Sequence, residues 1–198
     1  MKKIGLYCII AGIVIMQTGH ALAVSKVMEE SIYDPGKLRP RDSILRVTVG
    51  SEAPEFKLPA VSGGTISLKQ YRGKKNVVIS FVPAAWTPVC SDQWPGYNIA
   101  KSLFEKNDAV LLGITVDNIP TLYAWTQEMG TLWFPILSDF WPHGKVADKF
   151  GVLRSDGMSE RALFIIDKKG IISYIDVHDI NDRPSLGDIA RELENLGK

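Results

Sequence analysis

The sequence predicts an α/β domain: a central mixed β-sheet flanked by helices. Three observations carry this. Two apolar, β-branched runs, Asn76–Val82 and Ala109–Val116, have the composition of strands buried on both faces. Each is followed by a helix-length segment. A strand–turn–strand pattern, Ala162–Ile166 and Ile171–Val177 around Asp167-Lys168-Lys169-Gly170, then precedes a closing amphipathic helix.

Taken in order, Thr65–Leu68 reads as a short strand after the Gly63-Gly64 turn. Pro83 ends the first buried strand, and Pro88 allows a helix to start near Val89 or Cys90 and run to about Lys106, kinked or interrupted at Pro95-Gly96. Asn118 caps a helix with Pro120 in its first turn, ending at Gly130. Phe134–Leu137 is a short strand, and Lys145–Phe150 a short helix closed by Gly151. Ser185 caps the last helix, which places Ile189, Leu193 and Leu196 on one face. This order is that of a thioredoxin-like domain, parallel in its first half and antiparallel in its second.

Met1-Lys2-Lys3, the apolar run Ile4–Met16 and the A-x-A site Ala21-Leu22-Ala23 predict a signal peptide over residues 1–23, cut after Ala23. The run is short for a spanning helix, so a periplasmic or otherwise exported protein without stable membrane insertion is expected; an uncleaved inner-membrane anchor is the alternative. Residues 24–46 are mixed polar, with an Asp34-Pro35-Gly36 turn, and read as an extension joining the cleavage site to a domain over 47–198. Lys plus Arg (23) nearly balance Asp plus Glu (22), so no basic excess exists to bind nucleic acid. The two cysteines are Cys8, inside the leader, and Cys90. Cleavage leaves one thiol and no internal disulfide.

Cys90 lies in PAAWTPVC, which follows a buried strand and opens a helix. A sulfur in the first helical turn meets the positive end of the helix dipole, which favours thiolate over thiol. Thr87 offers a hydroxyl to a small oxygen-bearing substrate, and Pro83 and Pro88 stiffen the loop. Arg161 precedes a strand expected beside Asn76–Val82, from which its planar guanidinium can reach Cys90. The competing reading pairs Arg161 with Glu160 at the surface.

PAAWTPVC fits P-x3-T-x2-C and thereby resembles the active-site signature of the peroxiredoxins, the AhpC/TSA family. YRGKKNVVISFVP and SERALFIIDKKGIISYI are similar to that family's lead-in and arginine-bearing strands, and FPILSDFWPHGKVADKFGV resembles the one-cysteine AhpE-type branch. The similarity runs from about Val47 to the C-terminus. It implies that Cys90 is the peroxidatic cysteine, Thr87 the peroxide-orienting hydroxyl, Pro83 a shield and Arg161 the activating cation. Peroxide is the implied substrate, an external thiol or thioredoxin-like protein the reductant, and a homodimer the implied assembly, with Trp133-Phe134 as a candidate edge. No cofactor or metal is called for. Trp86 replaces the usual Phe, and Gln93 stands where a Glu is usual, which is expected to weaken the anchor on Arg161.

Three other function classes are weighed. A redox sensor or holdase on the same fold uses the same thiol without turnover. A disulfide oxidoreductase or metallochaperone needs the C-x-x-C that Cys90-Ser91-Asp92-Gln93 lacks. A Cys–His hydrolase needs His143 or His178 beside Cys90, and both read as surface or structural. Trp86 and Trp94, flanking Cys90, are candidates to line its access path.

Overall fold

The computed structural model describes residues 25–196. The expected leader and its cut after Ala23 lie outside them. Among the described residues no helix is long and apolar enough to cross a membrane.

The elements are α1 (Lys26–Ser31), β1 (Lys57–Pro59), β2 (Thr65–Ser67), β3 (Asn76–Phe81), α2 (Pro88–Ile99), α3 (Lys101–Lys106), β4 (Ala109–Thr115), α4 (Ile119–Glu128), β5 (Ile136–Ser138), α5 (Lys145–Phe150), β6 (Ala162–Ile166), β7 (Ile172–Val177) and α6 (Leu186–Leu196). A five-stranded sheet runs β5-β4-β3-β6-β7. β3 is parallel to β4 and β4 to β5, whereas β6 is antiparallel to both β3 and β7. The mixed thioredoxin-like sheet expected from element order is therefore present. β1 and β2 form a separate antiparallel pair.

Because strand side chains alternate faces, β3 feeds two cores. Val78 joins a cluster with Trp94, Leu122, Trp125, Ile189 and Leu193, from α2, α4 and α6. Val77, Ile79 and Phe81 join a second cluster with Phe150 and Phe164 on the other face. Gly113 in β4 makes the first packing feasible: a Cβ there would stand 2.8 Å from the Trp94 ring. Only glycine lets that indole lie against the strand.

One expectation is corrected. The helix is not interrupted at Pro95-Gly96; α2 continues through Pro95 and ends at Ala100, where α3 takes over. Pro95 removes one intrahelical donor, but Trp94 and Tyr97 are buried on either side of it, and their packing outweighs that loss. Within the expected extension, the described residues 25–46 are anchored to the domain. Ser25 caps α1 by accepting from the Met28 amide, and Met28 is fully buried in the core with Ile32 packed beside it.

The far end of this segment is tied to a buried ion pair. Arg154 Nη1 lies 2.8 Å from Glu160 Oε2, and Glu160 Oε1 accepts from the Asp42 amide at 2.6 Å. Glu160 is thus the partner of Arg154, not of Arg161. Glu160→Ala leaves Arg154 with Asp156 as its remaining carboxylate partner and the Asp42 amide without its acceptor, and is expected to cost about 1–3 kcal/mol of stability. Urea unfolding measures this; a loss below about 1 kcal/mol would contradict the pairing.

Candidate active site

The site forms where β3 ends. The register Phe81↔Ala162 places Arg161 opposite the residue that follows β3. The chain then turns through Pro83–Trp86. Asp117, at the end of β4, pins this loop by accepting from the Ala85 amide at 2.8 Å. Trp86 is held at φ 62°, a left-handed conformation that costs a bulky residue roughly 1–3 kcal/mol. Its carbonyl accepts from the Tyr33 amide at 2.8 Å, so the extension helps to hold the strained turn. Pro88 opens α2, and Cys90 falls in the first turn, as its sequence position implied.

Arg161 faces Cys90. Its Nη2 lies 3.5 Å from the sulfur, and both side chains are buried. Nε and Nη2 donate to the Ile180 carbonyl at 3.1 and 3.0 Å, and Nη1 donates to Gln93 Oε1 at 2.6 Å. Gln93 in turn donates its amide to Ser80 Oγ and the Tyr97 hydroxyl, each at 3.1 Å. The anchor is present although it is neutral: the amide oxygen accepts from the guanidinium, without the charge a carboxylate would add, and the remaining amide donors fix its orientation.

What Gln93 changes is charge. Among the described residues no carboxylate lies within ion-pair distance of Arg161. A buried cation without a counter-ion is costly. Burial pushes the Tyr97 phenol well above its usual range, so that group stays neutral. The Cys90 sulfur, 3.5 Å from Nη2, is the side-chain atom that faces the guanidinium on its remaining side.

Thr87 caps α2 through its position, not its side chain: the hydroxyl donates to the Ala84 carbonyl at 2.9 Å. That bond uses its one proton and leaves the oxygen as an acceptor. Thr87, Pro83, Val89 and Arg161 line a cleft of about 460 Å³, whose opposite wall is the extension from Tyr33 to Leu38. Cys90 itself is fully covered, lying in the core cluster with Trp94 behind the residues that line the cleft.

Trp86 and Trp94 do not line this cleft. Trp94 is buried, donating to Ser80 Oγ at 3.3 Å, and Trp86 packs against the core. Phe134 is also core, stacked edge-on with Trp94, and the half-buried Trp133 bonds the Tyr97 carbonyl. His143 bonds the Gly157 carbonyl and His178 the Asp176 carboxylate, neither of them at Cys90. Sequence reasoning missed the Ile180 carbonyl, Asp117 and Ser80. Ser80 left a signal, as the one hydroxyl within the apolar run Val77–Val82.

Comparison with known proteins agrees with this geometry. Residues 49–175 match the AhpC/TSA family. The chain is 36% identical over 132 residues to alkyl hydroperoxide reductase E of Mycobacterium tuberculosis, covering 66% of this chain and 86% of that protein. It is 33% identical over 161 residues to the chloroplastic 2-cysteine peroxiredoxin of Chattonella marina var. antiqua, covering 77% and 82%. The reduced 2-Cys peroxiredoxin of Plasmodium vivax superposes with a TM-score of 0.72 at 31% identity, over 76% of this chain and 82% of that one. AhpC of Mycobacterium tuberculosis superposes with a TM-score of 0.71 at 25% identity, over 77% and 94%. The chain belongs to the AhpC/TSA family and is a thiol-dependent peroxidase of the peroxiredoxin type.

Proposed function

We propose that Cys90 is the peroxidatic residue of an exported enzyme that reduces hydrogen peroxide or organic hydroperoxides. The observation that carries this reading is the 3.5 Å contact between Arg161 and the sulfur, in a pocket where the guanidinium has no carboxylate partner among the described residues. In the first step the thiolate sulfur bonds to the terminal peroxide oxygen and the O–O bond breaks. The leaving oxygen departs with the bonding pair and takes up a proton as water or alcohol. Cys90 is oxidised by two electrons to a sulfenic acid, and the peroxide is reduced.

Arg161 serves both ends of this step. It holds the sulfur as an anion before reaction and donates to the oxygen on which charge develops. The Thr87 oxygen accepts the peroxide O–H and orients it, and Pro83 keeps water from the sulfur. With Cys8 in the proposed leader, Cys90 has no resolving partner in the mature chain. The cycle then closes through an external thiol: one thiol displaces water from the sulfenic acid to form a mixed disulfide, and a second releases Cys90. The positive start, short apolar run and A-x-A site support export with cleavage after Ala23, to the periplasm or otherwise out of the cell interior.

The test is peroxide consumption by the purified protein with and without dithiothreitol. A peroxidase consumes many equivalents of peroxide when thiol is supplied. Oxidation that stops at one equivalent despite excess thiol would favour a sensor or holdase instead.

A further inference from the structure

The segment Tyr33–Leu38 lies outside the matched family region, yet it forms one wall of the cleft that Arg161 lines, and Arg161 touches the buried Cys90 sulfur. It is fastened on both sides of that cleft. At one side the Tyr33 amide donates to the Trp86 carbonyl at 2.8 Å. At the other, Leu38 exchanges two bonds with the Asn181 side chain, at 2.9 and 3.0 Å, and the Ile180 amide donates to the Pro40 carbonyl at 3.2 Å. Between these ties the chain arches through a turn in which Asp34 Oδ1 accepts from the Gly36 amide at 2.8 Å, with Gly36 at φ 71°. Helix α1 holds the near end, because Met28 is buried in the core.

The arch encloses far more space than hydrogen peroxide occupies. The cleft measures about 460 Å³, more than ten times the roughly 30 Å³ that a water molecule takes in the liquid. Its walls are mostly apolar: Tyr33, Pro35 and Leu38 from the arch face Pro83, Val89 and Met158 of the domain. An apolar wall gains nothing from a small polar peroxide, but it gains from covering hydrocarbon. The arch also bears on the chemistry, since it bonds Ile180, whose carbonyl holds Arg161.

We propose that Tyr33–Leu38 is a specificity-determining strap that binds the apolar substituent of an organic hydroperoxide while its O–O group lies at Arg161 and Cys90. This rests on the peroxidase reading above and adds to it which peroxides the site favours and which segment decides. The strap makes no bond in the reaction; the sulfur and the leaving oxygen exchange electrons as already described, and the product is the corresponding alcohol.

The experiment compares kcat/KM for cumene hydroperoxide and for hydrogen peroxide in the parent protein and in Tyr33→Ser/Leu38→Ser. The ratio of the two constants is expected to fall at least tenfold in the variant, mainly through KM for cumene hydroperoxide. Tyr33→Ser alone, at a side chain 71% exposed, is the companion variant should the double substitution fail to fold, and it is expected to lower the ratio about threefold. A ratio within 1.5-fold of the parent's in every variant that folds would overturn the strap's role, as would an equal loss for both peroxides. Absence of Cys90-dependent oxidation by either peroxide in the parent would instead remove the peroxidase reading, and the strap proposal with it.

Discussion

Cys90→Ser is expected to lower peroxide consumption by at least about 1000-fold, measured in single turnover on the chain cut after Ala23 or on a full-length chain carrying Cys8→Ser. The argument is chemical before it is structural. A serine hydroxyl holds its proton at neutral pH and is a poor nucleophile toward peroxide oxygen, so neither the helix terminus nor Arg161 can turn it into a substitute. The substitution is also nearly isosteric. Cys90 is fully buried and its sulfur meets Arg161 Nη2 at 3.5 Å, a distance a hydroxyl can also serve as acceptor. Little stability is lost, and inactivity cannot be put down to unfolding. A variant that consumed peroxide as fast as the parent would show that another group does the chemistry.

Arg161→Met is expected to slow oxidation of Cys90 by about 100-fold to 1000-fold, the range seen when a donor to a developing oxyanion is removed. Methionine fills much of the same buried volume but carries no charge, so the sulfur loses its counter-ion and the leaving oxygen its donor. It also leaves the Ile180 carbonyl and the Gln93 amide oxygen without their cation, at about 1–3 kcal/mol of stability. Arg161→Lys keeps the charge but cannot span Cys90, Gln93 and Ile180 at once, because an ammonium lacks the planar fork. Its rate is expected between those of the parent and Arg161→Met. Stopped-flow oxidation at one equivalent of peroxide measures all three, and a methionine variant within threefold of the parent would exclude the guanidinium from the reaction.

The chemistry at the heart of the site was legible in the sequence. The strand run ending at Pro83, the helix opening at Pro88 and the position of Arg161 before β6 are local patterns, and sheet pairing brings them together without further information. The grip of Gln93 was not legible. Its residue type suggested a lost carboxylate, whereas its amide satisfies three neighbours at once: Arg161, Ser80 and Tyr97. Composition reports charge, but it does not report which hydrogen bonds a neutral side chain can complete.

The strap was invisible for a different reason. Residues 33–38 show no helical or strand period, and what orders them is a pair of bonds between Leu38 and Asn181, 143 positions apart. Such ties leave no local pattern. The same holds for Asp42, which bonds Ser155 and Glu160 far along the chain. In the first of these cases an irregular, polar-looking stretch forms part of the wall of the cleft that Arg161 lines.

The central claim is that Cys90, held against Arg161, takes one oxygen from a peroxide and releases it as water when a thiol reduces the sulfenic acid. The direct measurement is the intact mass of the protein after one equivalent of peroxide, then after added dithiothreitol, with the modified residue located by peptide mapping. The account predicts a gain of about 16 Da on Cys90 that the thiol reverses, with no such gain in Cys90→Ser. An unchanged mass at Cys90 while peroxide disappears, or the added oxygen found on a methionine instead, would contradict it.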